Sequence, residues 1–153
     1  MNQNPLRKRL VEIALEWEKQ FGVAPHITAA VSEFDAAMLM GCSEAEYSCQ
    51  AQGRTAVKSG DDFVFDGKRY QVKGNRPSGK PGSSVTKVGK ANNYDWDYLI
   101  WMHYDPSFRL QEAWLWDVDS YRSKFHKMRR LGPTDMRLGQ CLKKLESEGG
   151  RNA

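Results

Sequence analysis

The residues with the most chemical promise lie in the run DDFVFDGKRYQVK, from Asp61 to Lys73. Two alternating stretches flank Asp66-Gly67, a dipeptide that favours the positive φ angles of a two-residue hairpin turn. With that pair at the turn, Phe65 faces Lys68, Val64 faces Arg69, Phe63 faces Tyr70 and Asp62 faces Gln71. Directly opposed residues share a face of the sheet. One face then carries Asp62, Val64, Arg69, Gln71 and Lys73, and the other carries Phe63, Phe65, Tyr70 and Val72. The first face gathers a carboxylate, an amide oxygen and an ammonium. Phosphodiester hydrolysis uses such a set: a hard cation binds a non-bridging oxygen and lowers the pKa of the attacking water. Magnesium takes oxygen ligands, so Asp62 and Gln71 are the candidate ligands. Lys73 is the candidate for orienting the water and offsetting developing negative charge. Asp61 is the rival to Asp62, but the alternation turns it to the other face, beside Phe63. Any one of these residues alone reads better as a solvated strand position; their combination singles them out.

Helices must position this hairpin. Residues 5–21 place Leu6, Leu10, Ile13, Ala14, Trp17 and Phe21 at helical spacing, with Pro5 at the start and Gly22 at the end. A second helix is expected over Thr28 to Met40, with Ala30, Phe34, Ala37 and Met38 as its buried stripe and Gly41 as its stop. Ser43 and Glu46 are spaced as a capping box for a short helical turn up to Gln50. Beyond the hairpin, Tyr94 to Tyr104 reads as a buried strand. Leu110 to Trp116 reads as its antiparallel partner across Asp105-Pro106-Ser107. A helix over Val118 to Lys127 and a last one from Thr134 to about Glu148 complete an α-α-β-β-β-β-α-α order around a central sheet.

The series "SEFDAAMLMG … SGDDFVFDGKRYQVKG … YDWDYLIWMHYD … LQEAWLWD", roughly Ala30 to Asp117, resembles the PD-(D/E)xK nuclease superfamily. The resemblance implies an α/β, restriction endonuclease-like core: a mixed central β-sheet flanked by helices, with the motif on a hairpin. The motif aspartate maps to Asp62 and the tripeptide to Gln71-Val72-Lys73. Many members add a glutamate ligand from the preceding helix, and Glu33 stands in that place. The implied cofactor is Mg²⁺ or Mn²⁺, and the implied activity is metal-dependent cleavage of nucleic acid, with DNA the expected substrate. Gln71 departs from the usual Glu or Asp. An amide holds a divalent cation more weakly, so a nucleic-acid-binding module that does not cut is the second expectation. A protein-interaction accessory protein is the third.

The remainder of the chain bears on partners. The sequence has 153 residues, the size of one domain, and residues 1–153 are taken as a single unit. Its 40% hydrophobic content is enough for a core. A formal net charge of +4 suits a polyanion. The charge is uneven: Lys68 to Lys90 holds Arg69, Lys73, Arg76, Lys80, Lys87 and Lys90 and no acidic residue. Glycines and hydroxyl residues are interspersed, so this stretch is a candidate track for a phosphate backbone. Asn75 and Arg76 are its candidate base readers. Trp96, Trp101, Trp114 and Trp116 read mostly as core. No apolar run is long enough to cross a membrane, and Arg7 to Arg9 are followed by no apolar signal segment. Cys42, Cys49 and Cys141 form no CxxC pair, so a reducing, cytoplasmic setting is expected. Because one active site serves one strand, a symmetric homodimer is the expected route to cutting both.

Overall fold

The computed structural model describes residues 4–55 and 60–146. Helix α1 (Pro5–Phe21) is capped by Asn4, whose side chain accepts the Arg7 N–H at 2.9 Å. Gly22 closes it at φ 89°, in the left-handed region. Helix α2 (Thr28–Met40) ends the same way at Gly41, and α3 (Glu44–Gln52) is capped by the Ser43 hydroxyl, which accepts the Glu46 N–H. Five strands follow the order β1 (Phe63–Phe65), β2 (Lys68–Asn75), β3 (Tyr98–Tyr104), β4 (Leu110–Asp117) and β5 (Gln140–Lys144) across one sheet. Only β2 and β3 pair in parallel. Helices α4 (Val118–Phe125) and α5 (Pro133–Met136) lie between β4 and β5 in sequence. The chain is therefore an α/β protein with a mixed five-stranded sheet flanked by helices.

The hairpin forms in the expected register, Phe63 with Tyr70, Val64 with Arg69 and Phe65 with Lys68. Asp66 and Gly67 both take positive φ, as the turn demands. Strand alternation then divides the sheet. Tyr70, Val72, Ile100, Met102, Tyr104 and Ala113 belong to a core shared with α1 and α2. Leu99, Trp101 and Trp116 belong to a second core with Tyr121, Phe125 and Leu131. Trp96, Trp101 and Trp116 are buried, as expected of core residues, and Trp114 is partly so.

Several expectations fail for identifiable reasons. The last helix does not run to Glu148. It stops as the short α5, and the chain turns at Gly139 into β5, which pairs with β4. A Cβ at Gly139 would lie 2.6 Å from the Trp116 indole nitrogen, so this close crossing requires glycine. Residues 147–148 of that expected helix lie outside the described residues. The buried stripe of α2 is Val31, Ser32, Asp35, Ala36 and Ala37 rather than Ala30, Phe34, Ala37 and Met38. The helix is rotated so that Ser32 presses on β2 at Gly74, where any Cβ would meet its hydroxyl at 2.5 Å. On α1, only Val11 and Ala14 are buried, and most of its apolar stripe faces solvent. The strand expected from Tyr94 starts at Tyr98.

Connection 76–97, which joins the parallel strands β2 and β3, is pinned across one face. Val88 bridges to Leu131, the Ala91 N–H donates to the Tyr121 hydroxyl, and the Trp96 indole donates to the Asn93 carbonyl.

Candidate functional site

Two adjacent aspartates precede β1, and the structure separates them sharply. Asp61 is buried, and Arg54 holds both its carboxylate, at 3.1 Å, and its carbonyl, at 2.9 Å. Asp62 is half-buried, and its Oδ2 accepts the backbone N–H of Val72 at 2.7 Å. Val72 is the middle residue of the Gln71-Val72-Lys73 tripeptide. Asp62 is thus anchored directly to that tripeptide, whereas Asp61 is consumed by an ion pair.

The hairpin geometry differs from expectation at this point. The Asp62 N–H donates to the Tyr70 carbonyl at 2.7 Å, one residue short of the register that would set Asp62 opposite Gln71. The regular ladder therefore breaks at Asp62. Its side chain, rather than its backbone, takes the next N–H of β2, as a short carboxylate can. This draws the carboxylate alongside β2 instead of leaving it above Gln71.

Glu33 comes from α2, which packs over the Val72 and Gly74 face of β2. Tyr47 lies on α3. The Tyr47 phenol is pushed up, first by burial and then by the negative charges of Glu33 and Asp62, with Arg54 opposing them. Both carboxylates therefore bear on one hydroxyl. Gln71 and Lys73 project from the opposite face of β2, beside Leu99 and Trp101 of β3. Gly89 of connection 76–97 lies close to Lys73, since a Cβ there would meet the lysine Cδ at 3.8 Å. Asp62 lies against β2 through the Tyr70 carbonyl and the Val72 N–H.

Glu33, Asp62 and Gln71 offer only oxygen donors, the kind that suits Mg²⁺ or Mn²⁺ and not a soft metal. Among the described residues, no group of three or more His, Cys, Asp or Glu gathers where a metal could be held. Glu33 and Gln71 lie toward opposite faces of β2, so the strand register does not bring these three residues together.

The candidate nucleic-acid residues fall into two classes. Arg76 is almost wholly covered. Its guanidinium pairs with both Glu18 oxygens at 2.7 and 2.8 Å, donates to the Pro106 carbonyl and lies over the Phe108 ring. Lys90 donates to the carbonyls of His126 and Met128. Asn75 accepts from the Trp101 indole and donates to the Lys87 carbonyl. These three clamp connection 76–97 to the body. Arg69 is exposed beside Asp97, while Lys80 and Lys87 are exposed on the connection itself.

No family model matches this chain. None of the curated proteins matches it either.

Sequence reasoning missed Tyr47 and Arg54, which sort the two aspartates, and a polar cluster on β3 and β4. There Glu112 accepts from His103 Nδ1 at 2.9 Å, from Arg137 through two bonds of 2.8 Å, and from the Trp114 indole at 2.8 Å. Burial alone would raise the Glu112 pKa. The donors outweigh it, Arg137 first and then His103 and Trp114, and hold the group at about 2. The signal was in the hairpin around Asp105-Pro106-Ser107, whose register places His103 opposite Glu112. Arg137 carried no such signal, because α5 and β5 were read as one helix.

Proposed function

We propose that this protein is a Mg²⁺- or Mn²⁺-dependent nuclease of the restriction endonuclease-like fold, acting on DNA. The observation that carries the reading is the bond from Val72 N–H to Asp62 Oδ2, which fixes the aspartate to the strand that bears Gln71 and Lys73. A cation, when bound, would polarise a phosphate oxygen and acidify a water. Asp62, Gln71 and Glu33 are the residues that would hold it. Asp62 contributes a carboxylate whose direction is set by a backbone amide. Lys73 contributes a positive charge that can hold the attacking water and offset charge on the scissile phosphate. Lys80, Lys87 and Arg69 contribute exposed charge near that strand for backbone contact. A second copy supplies the second site required to cut both strands.

The test is a plasmid-nicking assay with Mg²⁺ and Mn²⁺. The reading expects metal-stimulated cleavage that chelation removes. Lys73→Ala should lower the rate by about 10²-fold or more, with an unchanged melting temperature. A pure protein that cuts neither DNA nor RNA with either metal would refute the nuclease reading.

A second reading is a nucleic-acid-binding module that does not cleave. It is favoured by the amide at Gln71 and by the lack of a three-carboxylate cluster among the described residues. Salt-sensitive DNA binding without metal-stimulated cleavage would select it.

A further inference from the structure

Helix α1 uses only part of its apolar surface in the fold. Val11 and Ala14 are buried, and the salt-bridged Arg7 and Glu18 flank them. The adjacent stripe is open: Leu6 is 67% exposed, Ile13 60%, Trp17 52% and Phe21 64%, with Leu10 at 37%. Isolated exposed hydrophobics are ordinary, but a continuous row on one helix marks an interaction surface. The spacing of 6, 10, 13 and 17 alternates four and three residues, the pattern of a helix–helix seam.

The two ends of the stripe differ in shape. At the N-terminal end, Leu6 and Leu10 form one wall of an open apolar cavity of about 690 Å³, with Phe34, Tyr47 and Ala51 among its other lining residues. At the C-terminal end, Trp17 and Phe21 lie against each other with ring centroids 4.7 Å apart, forming an aromatic knob. Groove and knob are centred some eleven residues apart, roughly 16 Å along the helix.

We infer that this face binds a second copy of the same chain, with the two α1 helices antiparallel about a two-fold axis near Ile13. In that arrangement each Trp17–Phe21 knob lies over the other copy's groove, so both grooves fill at once. A parallel pairing would set knob on knob and leave both grooves empty. The charges agree. Arg9 and Glu16 are seven residues apart, on the same edge of the stripe. Antiparallel packing brings Arg9 of each copy to Glu16 of the other, whereas parallel packing puts these edges on opposite sides of the seam and leaves the two residues apart. The same surface serves both copies, as a two-fold interface requires. The inference stands on α1 and the groove it forms with Phe34, Tyr47 and Ala51, and is independent of the cleavage reading.

The experiment is sedimentation equilibrium on the full chain, with circular dichroism as the folding control. The expected result is twice the chain mass of 17.5 kDa. Trp17→Glu should shift the protein to monomer with unchanged helicity, since Trp17 is largely solvent-facing in the isolated fold. Arg9→Glu and Glu16→Arg should each weaken association at least tenfold, and the double variant should recover it. With Cys49 and Cys141 replaced by serine, Ile13→Cys should form a disulfide-linked dimer under mild oxidation and Leu6→Cys should not. A protein monomeric at 100 µM would overturn the inference, and the stripe would then belong to a different partner. A dimer indifferent to Trp17→Glu, or one cross-linked more readily through position 6 than through 13, would also overturn it.

Discussion

Two regions of the molecule, the α1–α2 face of the sheet and the β1–β2 edge, hold their carboxylates differently. On the α1 and α2 side, Asp35 accepts from Arg7 through bonds of 2.6 and 2.7 Å and from the Tyr104 hydroxyl at 2.7 Å. Burial, and then Asp35, push the Tyr104 phenol far up, so it stays a donor. Every strong group there is consumed by another, and the cluster serves as an internal clamp between α1, α2 and β3. At the β1–β2 edge, Asp62 accepts the backbone N–H of Val72, and the charges of Glu33 and Asp62 both push the Tyr47 phenol up. A carboxylate already matched to an arginine has little to offer a cation. One held in place by a backbone amide still has acceptor lone pairs to offer. That contrast also separates Asp61 from Asp62, neighbours in sequence with opposite assignments.

The contrast can be broken by substitution. The largest effect is expected at Asp35. Asp35→Ala would leave Arg7 and Tyr104 unpaired in the interior and should cost about 3–5 kcal/mol, seen as a lowered denaturation midpoint. Asp62→Asn keeps an acceptor for Val72 N–H and should change stability by less than about 1 kcal/mol. Equal losses at the two positions would erase the distinction between clamp and site.

Glu112 comes next. Its folded pKa of about 2 lies below the ordinary value of 4.5. Because the folded value is depressed, the ionised group contributes stability that is complete above the ordinary value. That contribution fades as pH falls from about 4.5 to about 2. Glu112→Gln should flatten the acid limb of a stability-versus-pH curve across that interval. An unchanged acid limb would show that the Arg137 and His103 bonds contribute little.

The smallest effects concern the basic residues of connection 76–97. Lys87→Ala should weaken DNA binding modestly and reduce the slope of log K against log salt by about 1, leaving the melting temperature unchanged. Arg76→Ala should lower the melting temperature through loss of the Glu18 pair and leave the salt slope nearly intact. The reverse pattern would make Arg76 the phosphate contact and Lys87 the structural residue.

Much of this was legible in the sequence. The hairpin register, the bounds of α1 and α2 and the β3–β4 pairing followed from alternation, helical spacing and turn chemistry, all of which are local. What was hidden depends on distant contacts. Nothing near Ser32 announced that Gly74 would draw α2 in and rotate it. Nothing in Gln140–Lys144 outweighed a helical reading until the open edge of β4 offered its hydrogen bonds. The Arg54–Asp61 pair and the Asp62–Val72 bond are side-chain choices that a strict alternation cannot express. For that reason the register could single out Asp62 over Asp61 but could not express its bond to the Val72 N–H. The basic run shows the same limit: composition treats Arg76 and Lys87 alike, and only the fold separates a clamp from an exposed charge.

The most direct test of the account is a Mn²⁺ titration followed by the electron paramagnetic resonance of the free ion. The account predicts binding by the wild-type chain, loss of binding in Asp62→Asn, and retention in a folded Asp61→Asn. No Mn²⁺ binding by the wild type, or loss in Asp61→Asn with retention in Asp62→Asn, would contradict it.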